Sequence, residues 1–321
     1  MTLRSLVVGL GQVGMGYDLN HNPEQFVMSH ARAFQVHSAF KLVGGVDPDA
    51  DQISLFESEY GCSGYSDLTC ALKELNPDVI VIATPTVNHL QTLDTILSES
   101  NPKIIICEKP LAYDLNDATK MTESCGAAGI KLFVNYMRRV DTGVIEIKNR
   151  IDSGLISPDS KGVCWYSKGL FNNGSHFLNL LQYWLGDVLN FDVIEKGRLW
   201  DDIDPEPDVR VVFEKGTILF LAAKEEHYSH YTIEIISKNG RLEYRRGGAE
   251  ILWQPIIDDP TYEGYQILSL TPEIIPSELD RVQIHILDHV AKSLNGHQSS
   301  ICTADEALNT LKVLDEIGKV L

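Results

Sequence analysis

Glu108-Lys109-Pro110 follows directly on Lys103–Cys107 (KIIIC), an apolar, mostly β-branched run, and sets an acid and an ammonium where a buried strand must stop. Such a run reads as an inner strand of a parallel sheet, and ligands of open α/β sheets lie just beyond the carboxyl ends of these strands. Pro110 biases Lys109 away from helical backbone, which keeps both charged groups at that rim. A second candidate set is Gly9-Leu10-Gly11-Gln12-Val13-Gly14, which ends the apolar strand Leu3–Gly9. Glycines in this pattern after a strand suit a dinucleotide: the first makes the turn, the second admits pyrophosphate, the third packs helix on strand. A third set surrounds His176, with Asn172 and Asn173 before it and Asn179 after it on one helical stripe. Histidine titrates near neutrality and can take a hydroxyl proton, whereas an amide can only bind and orient.

A dinucleotide site also needs an acid about 20 residues past the glycines, at the end of the second strand, to bind ribose hydroxyls. The acid available is Asp47 in FKLVGGVDPD, 33 residues after Gly14. The excess is assigned to an insert, Gly16–Met28, whose Asn-His-Asn-Pro is turn-rich and breaks helical periodicity. Removing its 13 residues restores the spacing, with a helix resuming at Ser29–His37. A carboxylate at Asp47 repels a 2′-phosphate, and Pro48–Asp51 holds no Arg or Lys to offset it, so NAD is expected in preference to NADP.

The elements that must position these residues alternate. Helices are expected at Asp51–Tyr60, Leu68–Leu75, His89–Ser98 and Leu115–Ala128, and strands at Asp78–Ala83, Lys103–Cys107 and Lys131–Asn135. This alternation predicts a doubly wound parallel sheet over residues 1–135. Thr84-Pro85-Thr86 then falls on the ligand rim, where Thr86 or Asn88 could instead cap the next helix. Near residue 160 the pattern changes to strands joined by hairpin turns such as Lys238-Asn239-Gly240, which predicts an α+β domain, 136–321, with a large open antiparallel sheet. Ser175–Leu185 is a helix stopped by Gly186, and Glu278–Leu294 and Ala304–Val320 close the chain.

Composition narrows the function classes. A length of 321 residues favours two domains, and a formal charge of −18 argues against nucleic acid and anionic membranes as partners. No apolar stretch approaches the roughly 18 residues that span a bilayer. The six cysteines include no CxxC pair and no metal-spaced cluster, which fits reduced thiols and no metal site. MTLRSLVVGLG has no cleavage site of a signal peptide, and a cytoplasmic location is expected.

In order and spacing, GLGQVG, HARAF at His30–Phe34, GVDPD at Gly45–Asp49, ATPTVNH at Ala83–His89 and CEKPLA at Cys107–Ala112 resemble the glucose–fructose oxidoreductase/inositol dehydrogenase family (Gfo/Idh/MocA). The resemblance implies a Rossmann domain carrying NAD or NADP. It also implies a second domain that commonly forms dimers or tetramers, and hydride transfer at a carbinol carbon of a sugar, polyol or sugar nucleotide. Lys109 matches the family's lysine between substrate hydroxyl and cofactor. Where the family reads Asp-x-Gly-x-His-x-x-Asp, residues 172–179 read NNGSHFLN, keeping Gly174 and His176 but replacing both aspartates by Asn172 and Asn179. Lys109 and His176 are therefore the catalytic candidates, expected to act on one hydroxyl. Asn172, Asn179, Tyr136 and Arg138 are the substrate-binding candidates. Gly9, Gly11, Gln12, Val13, Gly14, Asp47, Thr84, Pro85, Asn88, His89, Glu108 and Lys109 are the cofactor-binding candidates. The alternative is a dinucleotide-binding regulatory protein of the same fold without turnover.

Overall fold

A computed structural model describes residues 2–225 and 227–321, and its contacts divide the chain into two compact units. The first unit comprises residues 1–140 and 280–309, the second residues 141–279 and 310–321. The units are thus not the continuous segments 1–135 and 136–321, because residues 280–309 return to pack on the first.

In the first unit, β1 (Leu3–Val8), α1 (His30–Val36), β2 (Phe40–Val46), α2 (Ala50–Tyr60), β3 (Ser63–Tyr65) and α3 (Leu68–Leu75) form one half. The other half is β4 (Val79–Ile82), α4 (His89–Glu99), β5 (Ile104–Cys107), α5 (Leu115–Ala128) and β6 (Lys131–Val134). The six strands are all parallel, in the order β3-β2-β1-β4-β5-β6. That is the doubly wound order that reverses between β1 and β4 and opens a crevice there. Every residue of β4 (VIVI) and β5 (IIIC) is buried, as strands covered by helices on both faces require. Aspartates set several helix starts: Asp49 accepts from Asp51 N, Asp67 from Cys70 N, and Asp114 from Asn116 N and Asp117 N.

The second unit opens with α6 (Thr142–Asp152), capped by Asp141, then β7 (Ser160–Tyr166) and α7 (Ser175–Leu185). Next come β8 (Val188–Glu195), the short pair β9 (Leu199–Trp200) and β10 (Asp204–Pro205), β11 (Asp208–Phe213) and β12 (Gly216–Ala222). The sheet is completed by β13 (Thr232–Ser237), β14 (Gly240–Arg245), β15 (Glu250–Asp258), β16 (Gln266–Leu268) and β17 (Glu273–Ile275). Its order is β16-β15-β14-β13-β7-β12-β11-β8, with β17 also on β15. The expected antiparallel pairing needs one correction, since β7 and β12 are parallel. A hairpin cannot join parallel neighbours, and the chain runs through α7, β8 and β11 before β12 comes back beside β7. One sheet face buries Cys164, Ile218, Phe220, Ile233 and Ile235 against Trp184, Leu181 and Ile147 of the helices.

The last two helices are α8 (Val282–Leu294), in the first unit, and α9 (Ala304–Val320), whose residues from Thr310 belong to the second. Among the described residues, no helix is long and apolar enough to cross a membrane.

Candidate functional site

In the first unit a cleft of about 790 Å³ opens at the carboxyl ends of β1, β2, β4 and β5. Its wall contains all the cofactor candidates except Gly14. The three glycines differ in what a side chain would meet. At Gly9, with φ +98°, a Cβ would lie 2.5 Å from the Ala83 carbonyl oxygen, so the ends of β1 and β4 touch only because none is present. At Gly14 it would lie 2.0 Å from the Gly9 oxygen. At Gly11 nothing lies within 4 Å, leaving open cleft beside bare backbone, which fits a pyrophosphate. Across the crevice Asp47 Oδ2 accepts from Leu10 N at 2.8 Å, and Oδ1 from Asp49 N at 2.9 Å. The carboxylate is therefore fixed at the end of β2, on the cleft wall.

The helix that a glycine turn normally opens is interrupted here. Met15 N bonds Gly11 O as a helix would, and the ladder then resumes on residues far along the chain: His30 N to Val13 O at 3.1 Å, and Ala31 N to Gly14 O at 2.9 Å. With the thirteen residues 16–28 removed, both become the four-residue spacing of one continuous helix. The insert is a loop extruded from the first turn of α1. Asp18, fully buried, closes it by accepting from Met28 N, Ser29 N and Ser29 Oγ, the last two at 2.7 Å. Val27 ties it to the returning segment through Val27 N to Asp280 O.

His30 links the turn to the charged rim. Its Nε2 lies 2.7 Å from Glu108 Oε1, which also accepts from Asn135 Nδ2 at 2.6 Å. Burial acts to raise the Glu108 pKa, but these hydrogen bonds and the charges of His30 and Lys109 outweigh it, and the net shift is downward. Glu108 is thus an ionised acceptor held from two sides, with Lys109 next to it on the cleft wall. His30 and Asn135 stand 78 and 27 residues from Glu108 in sequence, and their shared hold on it has no local signal.

His89 is fully buried, with Nε2 2.9 Å from Thr84 O and Nδ1 3.1 Å from Leu111 O. Burial, the largest influence, lowers its pKa against both carbonyls. It braces the end of β4 against the segment after Lys109-Pro110. Neither Pro85 nor Asn88 makes a side-chain cap to the turn or helix that follows, and Thr86 and Asn88 line the cleft instead. Cys107 is buried, and burial holds its thiol pKa well above the usual range, which makes it a packing residue. Tyr17, Ser66 and Thr92 also line the cleft, and nothing in their local sequence marks them.

Tyr136 is buried and Arg138 half-buried beyond β6, and the neighbouring Arg139 pairs with Glu306 at 2.7 Å. In the second unit, Gly169–Gly174 winds as one wide π-type turn that runs straight into α7, so the helix has no open first turn at Ser175. Wide turns of this type recur at functional sites. Two buried acids hold it. Asp204 accepts from Phe171 N at 3.0 Å and Asn172 N at 2.8 Å, and Glu206 accepts from Lys168 N at 2.8 Å. Burial raises the Asp204 pKa even against these bonds. His176 is 9% exposed, directly after the turn. Asn172 donates to Lys168 O. Asn179, 1% exposed, donates to Thr310 Oγ1 at 2.9 Å, and in this position it braces α7 against α9.

The strand order, the glycine turn and the strand-end acid together define a Rossmann fold of the dinucleotide-binding type. Residues 3–136 match the model of an oxidoreductase family with an NAD-binding Rossmann fold (GFO_IDH_MocA). A 2,7-anhydro-N-acetylneuraminate hydratase of Escherichia coli is 25% identical over 200 residues, 57% of this chain and 50% of that one. An inositol 2-dehydrogenase of Mycolicibacterium smegmatis is 35% identical over 95 residues, 29% of this chain and 27% of the relative. The chain spans half or less of the length of these curated relatives. The fold extends further. The WlbA dehydrogenase of Bordetella pertussis, solved with NADH and UDP-GlcNAcA, superposes with a TM-score of 0.77 over 99% of this chain and 95% of its own, at 18% identity.

Proposed function

We propose that the protein is an NAD-dependent oxidoreductase moving a hydride between nicotinamide and a secondary hydroxyl or ketone of a sugar, polyol or sugar nucleotide. The observation that carries the reading is the cleft, with Gly11 open at its floor, Asp47 fixed at one end and Lys109 beside Glu108 at the other. Gly9 to Gly14 would hold the pyrophosphate, Asp47 the adenine ribose, and Thr84, Pro85, Asn88 and Glu108 the rest. The bound nicotinamide supplies the hydride acceptor or donor. Lys109 would stabilise a developing alkoxide, or polarise the ketone in reverse. His176 would take the hydroxyl proton. Asn172, Tyr136 and Arg138 are proposed to orient the substrate, while the burial of Asn179 favours a bracing role.

Asp47 would repel a 2′-phosphate, so NAD should bind tenfold or more tightly than NADP, about 1.4 kcal/mol. The outward face of the large sheet is proposed to pair copies of the chain into a dimer or tetramer. The six free cysteines suit the reducing cytoplasm. Titration with NAD and NADP, followed by NADH formation with a panel of polyols, sugars and nucleotide sugars, tests the reading. Binding and turnover on at least one substrate are expected. Failure to bind either dinucleotide would overturn it, and binding without turnover would favour a regulatory protein of the same fold.

A further inference from the structure

We infer that Tyr17, carried by the insertion at 16–28, is a dinucleotide-binding residue at the glycine-turn end of the cleft. The inference rests on the dinucleotide reading of that cleft. Tyr17 lines it together with Gly11, Gln12 and Val13, yet 53% of its surface is exposed. Its backbone is fixed from both sides. Tyr17 N bonds Gln12 O at 2.9 Å, Gly16 N bonds Gly11 O at 3.0 Å, and the next residue is the buried Asp18 that closes the loop on Met28 and Ser29. Gly16 is itself pressed against the turn, since a Cβ there would lie 2.8 Å from Gln12 Oε1.

The backbone that carries this half-bare ring is already ordered, and a ligand entering the cleft would cover the ring. The tyrosine offers an apolar face to a ribose and a phenol O–H to a phosphate or ribose oxygen. An uninterrupted helix of this fingerprint would have no residue here, because Tyr17 exists only by virtue of the extrusion.

Calorimetric titration of the full-length chain with NAD and NADH tests this without reliance on turnover. Tyr17→Ala should weaken both Kd values roughly tenfold at an unchanged thermal midpoint, as loss of one ring contact and one hydrogen bond implies. Tyr17→Phe should fall between, separating ring from hydroxyl. Gln25→Ala, on the exposed side of the same loop, should bind as the parent does. Unchanged affinity in Tyr17→Ala while the parent binds NAD would overturn this inference and leave the cleft's reading intact. So would equal weakening by Gln25→Ala. A parent chain that binds no dinucleotide would overturn both.

Discussion

Lys109 and Glu108 are adjacent, yet the cleft gives them different duties. Glu108 is clamped by His30 and Asn135 at 2.7 and 2.6 Å, and Lys109 is the proposed charge at the reacting end. Lys109→Ala should keep NAD affinity in a direct titration while lowering kcat by about 10²-fold or more, the usual loss for a charge-stabilising group. His176→Ala should lower kcat on a similar scale and remove the lower limb of the pH–rate profile. Near-normal turnover with an unchanged profile would show that His176 is not the base. Asn172→Ala should raise KM more than it lowers kcat, because an amide binds without moving a proton.

At the scale of elements, Asp204 and Glu206 are the supports to remove. Asp204→Ala strands the N–H groups of Phe171 and Asn172, at about 1–3 kcal/mol for each group left buried. A lower thermal midpoint and a raised substrate KM are expected, with NAD affinity unchanged and partial recovery in Asp204→Asn. In α8, burial lowers the His289 pKa to about 4, and its Nδ1 accepts from Ser300 N at 2.9 Å, so the ring is neutral when folded. The unfolded chain takes up a proton below about pH 6.5. This contribution is therefore present above pH 6.5 and is lost as pH falls towards 4, amounting to about 3 kcal/mol at most. Thermal midpoints from pH 7 to 4.5 should fall less in His289→Asn, which keeps an acceptor for Ser300. Much of this layer was legible in advance. Leu68–Leu75, Leu115–Ala128, Ser175–Leu185 and Ala304–Val320 form end to end as their periodicity predicts. What escaped lacks local cause: β3 is only Ser-Gly-Tyr, and the acids beneath the π-type turn sit 32 to 38 residues from the backbone they hold. α6 could have been read from Asp141 and the spacing of Val144, Ile147 and Ile151. The 33-residue gap to Asp47 misleads only while residues are counted, since the hydrogen-bond ladder skips the insert.

For the whole molecule, the outward face of the large sheet carries Val163, Leu219 and Ile236 beside Lys161, Arg210 and Glu234, around a shallow cavity of about 390 Å³. Leu219 alternates with the buried Ile218 and Phe220, which makes β12 apolar on both faces. A solution mass at micromolar concentration that is a multiple of 35.8 kDa is expected, shifting towards the single chain in Ile236→Asp. A parent already monomeric would refute this assembly.

The return of residues 280–309 also governs the order in which the protein can be born. On a ribosome the first residues emerge first, but the half they begin is not finished with them. Val27 waits for Asp280 and Gln283, Phe133 for Thr303, and Arg139 for Glu306. Domains ordinarily fold as units while synthesis proceeds, N-terminal first. Here the second unit has emerged through residue 279 while the first still lacks its closing pieces. The nascent first unit therefore stays unfinished until residues 280–309 have emerged behind the whole of residues 141–279.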